Sequence, residues 1–173
     1  MSVQDAKKDR VVFRVSPSFY AAITQQANEA NRSVNGEICT AVDSWLYERD
    51  TMVFMKDRLM ASASVESINV IRKATPSYLT VADEEGDTCK TTVRFKESVE
   101  ADLRAAWEVH KRQIGHVSLN SFLKLVVSWW LMYSYQMREC AKALHRDFNN
   151  SMMPPSRSTA VIQPPVYGNL ALA

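Results

Sequence analysis

The stretch NRSVNGEI, residues 31–38, runs directly into the apolar CTAVDSWL, residues 39–46. A serine ahead of an apolar stripe at helical spacing marks a helix start. Its hydroxyl accepts one of the backbone amides that the first turn leaves free. Ser33 is therefore the expected N-cap, and Val34, Ile38, Val42 and Trp45 form the expected buried stripe. The same pattern carries the helix on through YERDTMVFMKDRLM, residues 47–60. Asn31 tolerates a left-handed backbone, so it suits the stop of a preceding helix.

That preceding helix is legible upstream. Phe19, Ile23 and Ala27 recur at helical spacing, with Ala30 following, behind a Ser16 cap and Pro17 at the first helical position. Before it, RVVFRV (10–15) alternates with period two. Val11, Phe13 and Val15 share one strand face, and Arg10, Val12 and Arg14 share the other. The order is strand, helix, tight turn, longer helix.

The order then returns. KTTVRF (90–95) alternates again, with Thr91, Val93 and Phe95 on one face and Lys90, Thr92 and Arg94 on the other. RVSPSFYAAI (14–23) aligns with RFKESVEADL (94–103), an offset of 94 − 14 = 80. SVNGEI (33–38) aligns with SLNSFL (118–123), an offset of 118 − 33 = 85. Four of the five added residues are assigned to about one extra turn of the first helix, and one to the loop, GHVS against NRS. Gly115 takes the stop role of Asn31. The chain is an internal repeat of a strand-helix-helix unit.

The expected organisation follows: a first unit with an N-terminal arm over 1–60, a connector over 61–88, a second unit with a long second helix over 89–148, and a flexible tail over 149–173. The connector holds a Thr-Pro-Ser turn, a candidate short strand at YLTVA (78–82) and the acidic run DEEGD (83–87). The tail, NNSMMPPSRSTAVIQPPVYGNLALA, has prolines, small residues and no periodicity. A partner-binding peptide within it is the alternative to an inert tail.

The totals set the bounds. A chain of 173 residues, 46% apolar and 23% charged, is a globular chain of one ordinary domain or two very small ones. Its net charge of +2 neither demands nor excludes nucleic acid, because the placement of charge decides. Cys39, Cys89 and Cys140 are far apart and show no CxxC or Cys-His spacing. That disfavours a disulfide framework or a zinc site and fits a cytoplasmic location. No secretory signal is expected, since the first fifteen residues are charged without an apolar core segment. FLKLVVSWWLMYSY (122–135) is interrupted by Lys124 and two serines and falls short of the roughly 18 to 20 apolar residues of a membrane span. It reads as a buried helix, not as a membrane contact.

A lone strand leaves its amides and carbonyls unpaired, so each unit needs a partner. The expected fold is mainly α with a short β-ribbon, a small α+β arrangement in which the two units pair within one chain as a pseudo-dimer; pairing of like units between chains, favoured by matched helix lengths, is the alternative. A connector of about 28 residues reaches about 90 Å when extended, and tethering holds the effective concentration near the millimolar range. Four helices then cover the apolar ribbon face, while Arg10, Val12, Arg14, Lys90, Thr92 and Arg94 face outward. A two-stranded ribbon fits the major groove, where Arg and Lys donate to guanine O6 and N7 and Val or Thr meets a thymine methyl. The second helix of each unit opens beside that ribbon, so the amides of Val34, Asn35, Leu119 and Asn120 suit phosphate. Ordinary capping would explain Ser33 or Ser118 alone; their repetition after a basic strand favours the anion-binding reading.

These residues carry a resemblance. RVSPSFYAAITQQANEANRSVNGEICTAVDSWL (14–46) resembles the ribbon-helix-helix (Arc/MetJ-type) family, specifically its Arc repressor branch, over residues 8–50. Residues 88–137 resemble the broader family as a more divergent second unit. In that branch three alternate strand residues read bases and the amides opening the second helix clamp phosphate. The resemblance thus implies base reading by Arg10, Val12 and Arg14, with Lys90, Thr92 and Arg94 in the second unit. It implies phosphate binding at Ser33, Val34 and Asn35, and at Ser118, Leu119 and Asn120, with the asparagine side chains assisting. The family also joins an arginine to a glutamate under the ribbon. Arg32 and Glu37 match that pair, a second family arginine falls on Ala41, and Phe122 stands where the second glutamate would be.

Enzymatic readings fare poorly. The glycines at 36, 86, 115 and 168 are too scattered for a phosphate loop or dinucleotide fingerprint. His110, His116 and His145 lack ligand spacing, and no GxSxG occurs. Trp129 and Trp130 read as core. The expectation is a transcription regulator that binds double-stranded DNA, with no cofactor, no metal and no catalysis. Surplus apolar surface on the second helices is expected to find extra burial, either under the connector or in side-by-side self-association on DNA. The alternatives are a DNA-bending accessory protein of a conjugative relaxosome, which tandem units also resemble, and an antitoxin-type autoregulator whose tail binds a toxin.

Overall fold

The computed structural model describes residues 10–77 and 88–152. Strands β1 (Arg10–Val15) and β2 (Cys89–Arg94) form a two-stranded antiparallel sheet. Six α-helices accompany it among the described residues: α1 (Pro17–Glu29), α2 (Val34–Asp43), α3 (Arg49–Ser62), α4 (Val65–Ala74), α5 (Glu97–Ile114) and α6 (Leu119–Met152). The architecture is mainly helical with one small sheet, an α+β arrangement. The arm over 1–9, the strand read at 78–82, the acidic run at 83–87 and the tail from 153 lie outside the described residues.

Both strands belong to the same chain, and their register is symmetric about its centre. Arg10 pairs with Arg94, Val12 with Thr92, and Arg14 with Lys90. Alternation then sorts the faces. Val11, Phe13, Val15 and Val93 are buried, whereas Arg10, Val12, Arg14, Lys90, Thr92 and Arg94 are exposed. Thr91 is only half-buried, and Phe95, just past the strand, completes the inner face.

Local chemistry explains the helix ends. Ser16 Oγ accepts the Phe19 amide at 3.3 Å, with Pro17 opening α1. Asn31 takes φ 53°, and the Arg32 amide returns to the Ala27 carbonyl at 2.8 Å, which closes the helix. Gly115, at φ 93°, does the same for α5 in a region where a side chain would be strained. α1 has 13 residues and α5 has 18, a difference of 18 − 13 = 5. The intervening segments, 30–33 and 115–118, are equal in length. The expected split of the added residues, four in the helix and one in the loop, is therefore corrected: all five lengthen the helix.

One core joins both units. Phe13, Phe19, Ile23, Ile38, Val42, Leu103, Phe122, Leu123 and Val126 have no exposed surface. Full burial of such a side chain contributes roughly 1.5–3 kcal/mol. Phe13 meets Phe19 edge-on at 6.5 Å between ring centres, and Trp45 meets Phe122 edge-on at 5.2 Å. Aligned positions share the core: Ile38 with Leu123, Ala41 with Val126, Val42 with Val127.

Three elements depart from the expectation. The connector contains α4, capped by Ser64, whose hydroxyl accepts the Ser67 amide at 3.2 Å. α4 lies against α6, burying Ile71 with Cys140 and Ala143. The Ser64 amide also donates to Asp147 Oδ2 at 3.2 Å. This packing supplies part of the extra burial expected for α6. Secondly, α6 extends to Met152, so the segment read as tail from 149 begins as helix. Thirdly, a single π turn, Ser44–Glu48, separates α2 from α3. That wider turn shifts the phase of the helix, and no side chain of α3 is fully buried, although Leu59 and Met60 pack partly buried against the α4–α6 contact. An open groove of about 480 Å³ remains between α3, α5 and α6, lined by Trp45, Leu125, Trp129, Met132 and Tyr133.

Candidate nucleic-acid interface

The outer ribbon face gathers the six residues singled out from the sequence. Arg10, Arg14, Lys90 and Arg94 occupy its corners, and Val12 and Thr92 sit opposite each other at its centre. Val12 is 49% exposed, on the strand face opposite its buried neighbours Val11 and Phe13. None of the four cations has a carboxylate partner among the described residues. Cations without acidic partners among the described residues leave a positive face there, which attracts polyanions.

Each end of the ribbon meets the opening of a second helix from the other unit. Ser33 Oγ accepts the Gly36 amide at 3.0 Å, and Ser118 Oγ accepts the Ser121 amide at 3.0 Å. Capping therefore engages the third amide of each helix. The first two, on Val34 and Asn35 and on Leu119 and Asn120, have no acceptor among the described residues. These are the free donors that an anion at a helix start requires.

The asparagine side chains hold the ribbon backbone. Asn120 Oδ1 accepts the Arg14 amide at 2.8 Å, and Asn120 Nδ2 donates to the Arg14 carbonyl at 3.0 Å. Asn35 Oδ1 accepts the Arg94 amide at 3.1 Å. Both side chains thus bond the outer edges of the ribbon at Arg14 and Arg94, beside the backbone amides of Asn35 and Asn120. An unpaired strand edge otherwise invites foreign pairing. The bonds also fix each helix opening beside the strand residue whose side chain points outward. The aligned asparagines were visible in the sequence as a repeat, but their acceptors became apparent only with the register.

Cys39 adds a third contact at one end. Its thiol donates to the Arg94 carbonyl at 3.4 Å and receives Asn35 Nδ2 at 3.8 Å. Burial, and secondarily the charge of Asp43, pushes this thiol above its ordinary pKa of 9.0. It remains a protonated donor at neutral pH.

Beneath the ribbon, Glu37 is 1% exposed and fully engaged. Arg32 Nη1 reaches Glu37 Oε2 at 3.0 Å, and Trp130 Nε1 donates to Glu37 Oε1 at 2.6 Å. Trp130, read only as core, is therefore also a polar partner across the two units. Among the histidines, His110 lies against the Phe122 ring at 5.1 Å, His116 is exposed, and His145 pairs with Asn149. The described residues contain no group of three or more His, Cys, Asp or Glu able to hold a metal, and no helix among them is long and apolar enough to cross a membrane.

Compared with known proteins, the chain matches no family model, no curated protein and no solved structure.

Proposed function

We propose that this chain is a sequence-specific double-stranded-DNA-binding regulator of transcription, built from two ribbon-helix-helix units paired within one chain. The observation that carries the reading is the outer ribbon face: four cations around Val12 and Thr92 without carboxylate partners among the described residues, flanked by two helix openings whose first amides have no acceptor among those residues. The ribbon enters the major groove. Arginine forks there donate to guanine O6 and N7, and the Val12 and Thr92 methyls meet thymine. The amides at Val34, Asn35, Leu119 and Asn120 hold the flanking phosphates, which sets the register of the protein on the duplex without specifying sequence.

The test is binding of the full chain to a duplex selected from a random pool and to unselected duplexes, at two salt concentrations. Expected is a preference for the selected duplex, with affinity for both falling steeply as salt rises because bound counterions are released. Equal affinity for every duplex would remove base reading. An absence of salt dependence would remove the phosphate contacts.

A further inference from the structure

The ribbon is symmetric in backbone and asymmetric in side chains. Its register maps each residue of β1 onto the residue 80 positions later in β2: Arg10 onto Lys90, Val12 onto Thr92, Arg14 onto Arg94. The helix openings follow the same symmetry, since Asn120 holds the Arg14 backbone as Asn35 holds that of Arg94. Both units are therefore positioned alike on a duplex, with Arg14 and Arg94 in matching places.

The other two reading positions differ in chemistry. Arg10 presents a planar fork suited to two acceptors on one guanine, whereas Lys90 presents a single rotatable ammonium. Val12 offers only methyl groups, whereas Thr92 adds a hydroxyl that donates and accepts. A protein with a true two-fold reads a palindrome because its two halves want the same bases. Here the halves want different ones.

We propose that this chain reads a directional DNA site: two unequal half-sites in fixed order, sharing the base contacted by Arg14 and Arg94. Arg10 against Lys90, and Val12 against Thr92, tell the halves apart. The inference rests on the DNA-binding function proposed above. Directionality has a consequence for the rest of the molecule. α4, contributed by the connector, packs on the far half of α6 and forms a mass there, and no counterpart to α4 exists among the described residues. A site bound in one orientation places that mass, and anything docked on it, toward one fixed flank.

The experiment starts from duplexes selected by the full chain out of a random pool. The selected site is expected to be non-palindromic. Inverted repeats built from either half should bind about ten-fold more weakly than the selected site, the effect of one lost base contact. The Lys90→Arg, Thr92→Val double variant gives both strands the same reading residues. It should transfer its preference to the inverted repeat of the half-site read by β1. Both substituted side chains are exposed, and circular dichroism reports whether the fold is kept. A selected site that is itself a palindrome would overturn the proposal, as would inverted repeats bound as tightly as that site. So would a folded double variant with unchanged preference. Each of these outcomes leaves base reading intact. A pool from which no sequence is enriched would instead overturn the DNA-reading function itself, and directionality with it.

Discussion

Trp130 Nε1 donates to Glu37 Oε1 at 2.6 Å, joining the second helix of one unit to the second helix of the other. The two residues mark a break in the pseudo-symmetry. Trp45 aligns with Trp130 and Glu37 with Phe122, each at an offset of 85 (130 − 45 and 122 − 37). On one side of the molecule an indole meets a phenyl ring, and on the other it meets a carboxylate. A buried carboxylate is costly unless both oxygens are hydrogen-bonded, and Arg32 with Trp130 supplies both bonds.

Trp130→Phe keeps one six-membered aromatic ring and removes the donor. It should destabilise the fold by about 1–3 kcal/mol, the cost of an unsatisfied buried acceptor. Urea unfolding followed by far-ultraviolet circular dichroism measures it. A loss below about 0.5 kcal/mol, the scale of an ordinary surface change, would mean that Glu37 finds another partner and that the bond does not matter.

Arg14 and Phe13 are neighbours in sequence and opposite in consequence. Arg14→Ala should cost about 1–3 kcal/mol on the selected duplex and relax its base preference, with the fold retained. Phe13→Ala should destabilise the core by about 3–5 kcal/mol, since Phe13 has no exposed surface. Competition binding with selected and random duplexes, beside thermal melts, separates the two. If Arg14→Ala and Arg94→Ala both stay folded and bind the selected duplex unchanged, the ribbon is not the reading surface.

The asparagine clamps predict a coupled effect. Asn35→Ala leaves the Arg94 amide without its acceptor, and Asn120→Ala removes two bonds from Arg14. Each should lower stability by about 0.5–1.5 kcal/mol per bond. The clamps lie at opposite ends of the ribbon, so the losses should add. Loosened helix openings should weaken all duplexes alike, because phosphate contacts carry no sequence information. Unchanged melting and unchanged affinity in the double variant would show these contacts to be idle.

What was legible in the sequence was what local chemistry decides. Val11, Phe13 and Val15 alternate, so the buried face of β1 could be assigned before any partner strand was known. Ser16, Ser33 and Ser64 all cap helices through the same hydroxyl-to-amide bond. α4 escaped although Ile68 and Ile71 share one helix face: its ten residues lie in a Ser- and Ala-containing stretch read as connector, and only the packing of Ile71 on α6 shows what that face covers. The π turn at Ser44–Glu48 escaped because nothing in SWLYE departs from an ordinary helical composition. The Trp130–Glu37 bond and the asparagine clamps depend on which units face each other. A repeat can show that Asn35 and Asn120 correspond, but only the strand register shows that each serves the opposite strand.

Cys39 offers a test by pH. Burial and then Asp43 raise its pKa above 9.0, and burial alone raises that of Cys140. Raised thiol pKa values mean that the folded state holds its protons more tightly than the unfolded chain. Their contribution is complete below pH 9 and is lost as pH climbs through the folded-state values. Stability should therefore fall from about pH 9 upward, partly because ionised Cys39 no longer donates to the Arg94 carbonyl. Cys39→Ser keeps a hydroxyl donor that does not titrate in this range. It should flatten the decline between pH 8 and 10 relative to the parent, while leaving tyrosine and lysine titrations common to both proteins. Urea midpoints measured across that interval decide the matter. Parallel curves for parent and variant would show that the Cys39 thiol is not coupled to folding, and that its contact with β2 is incidental.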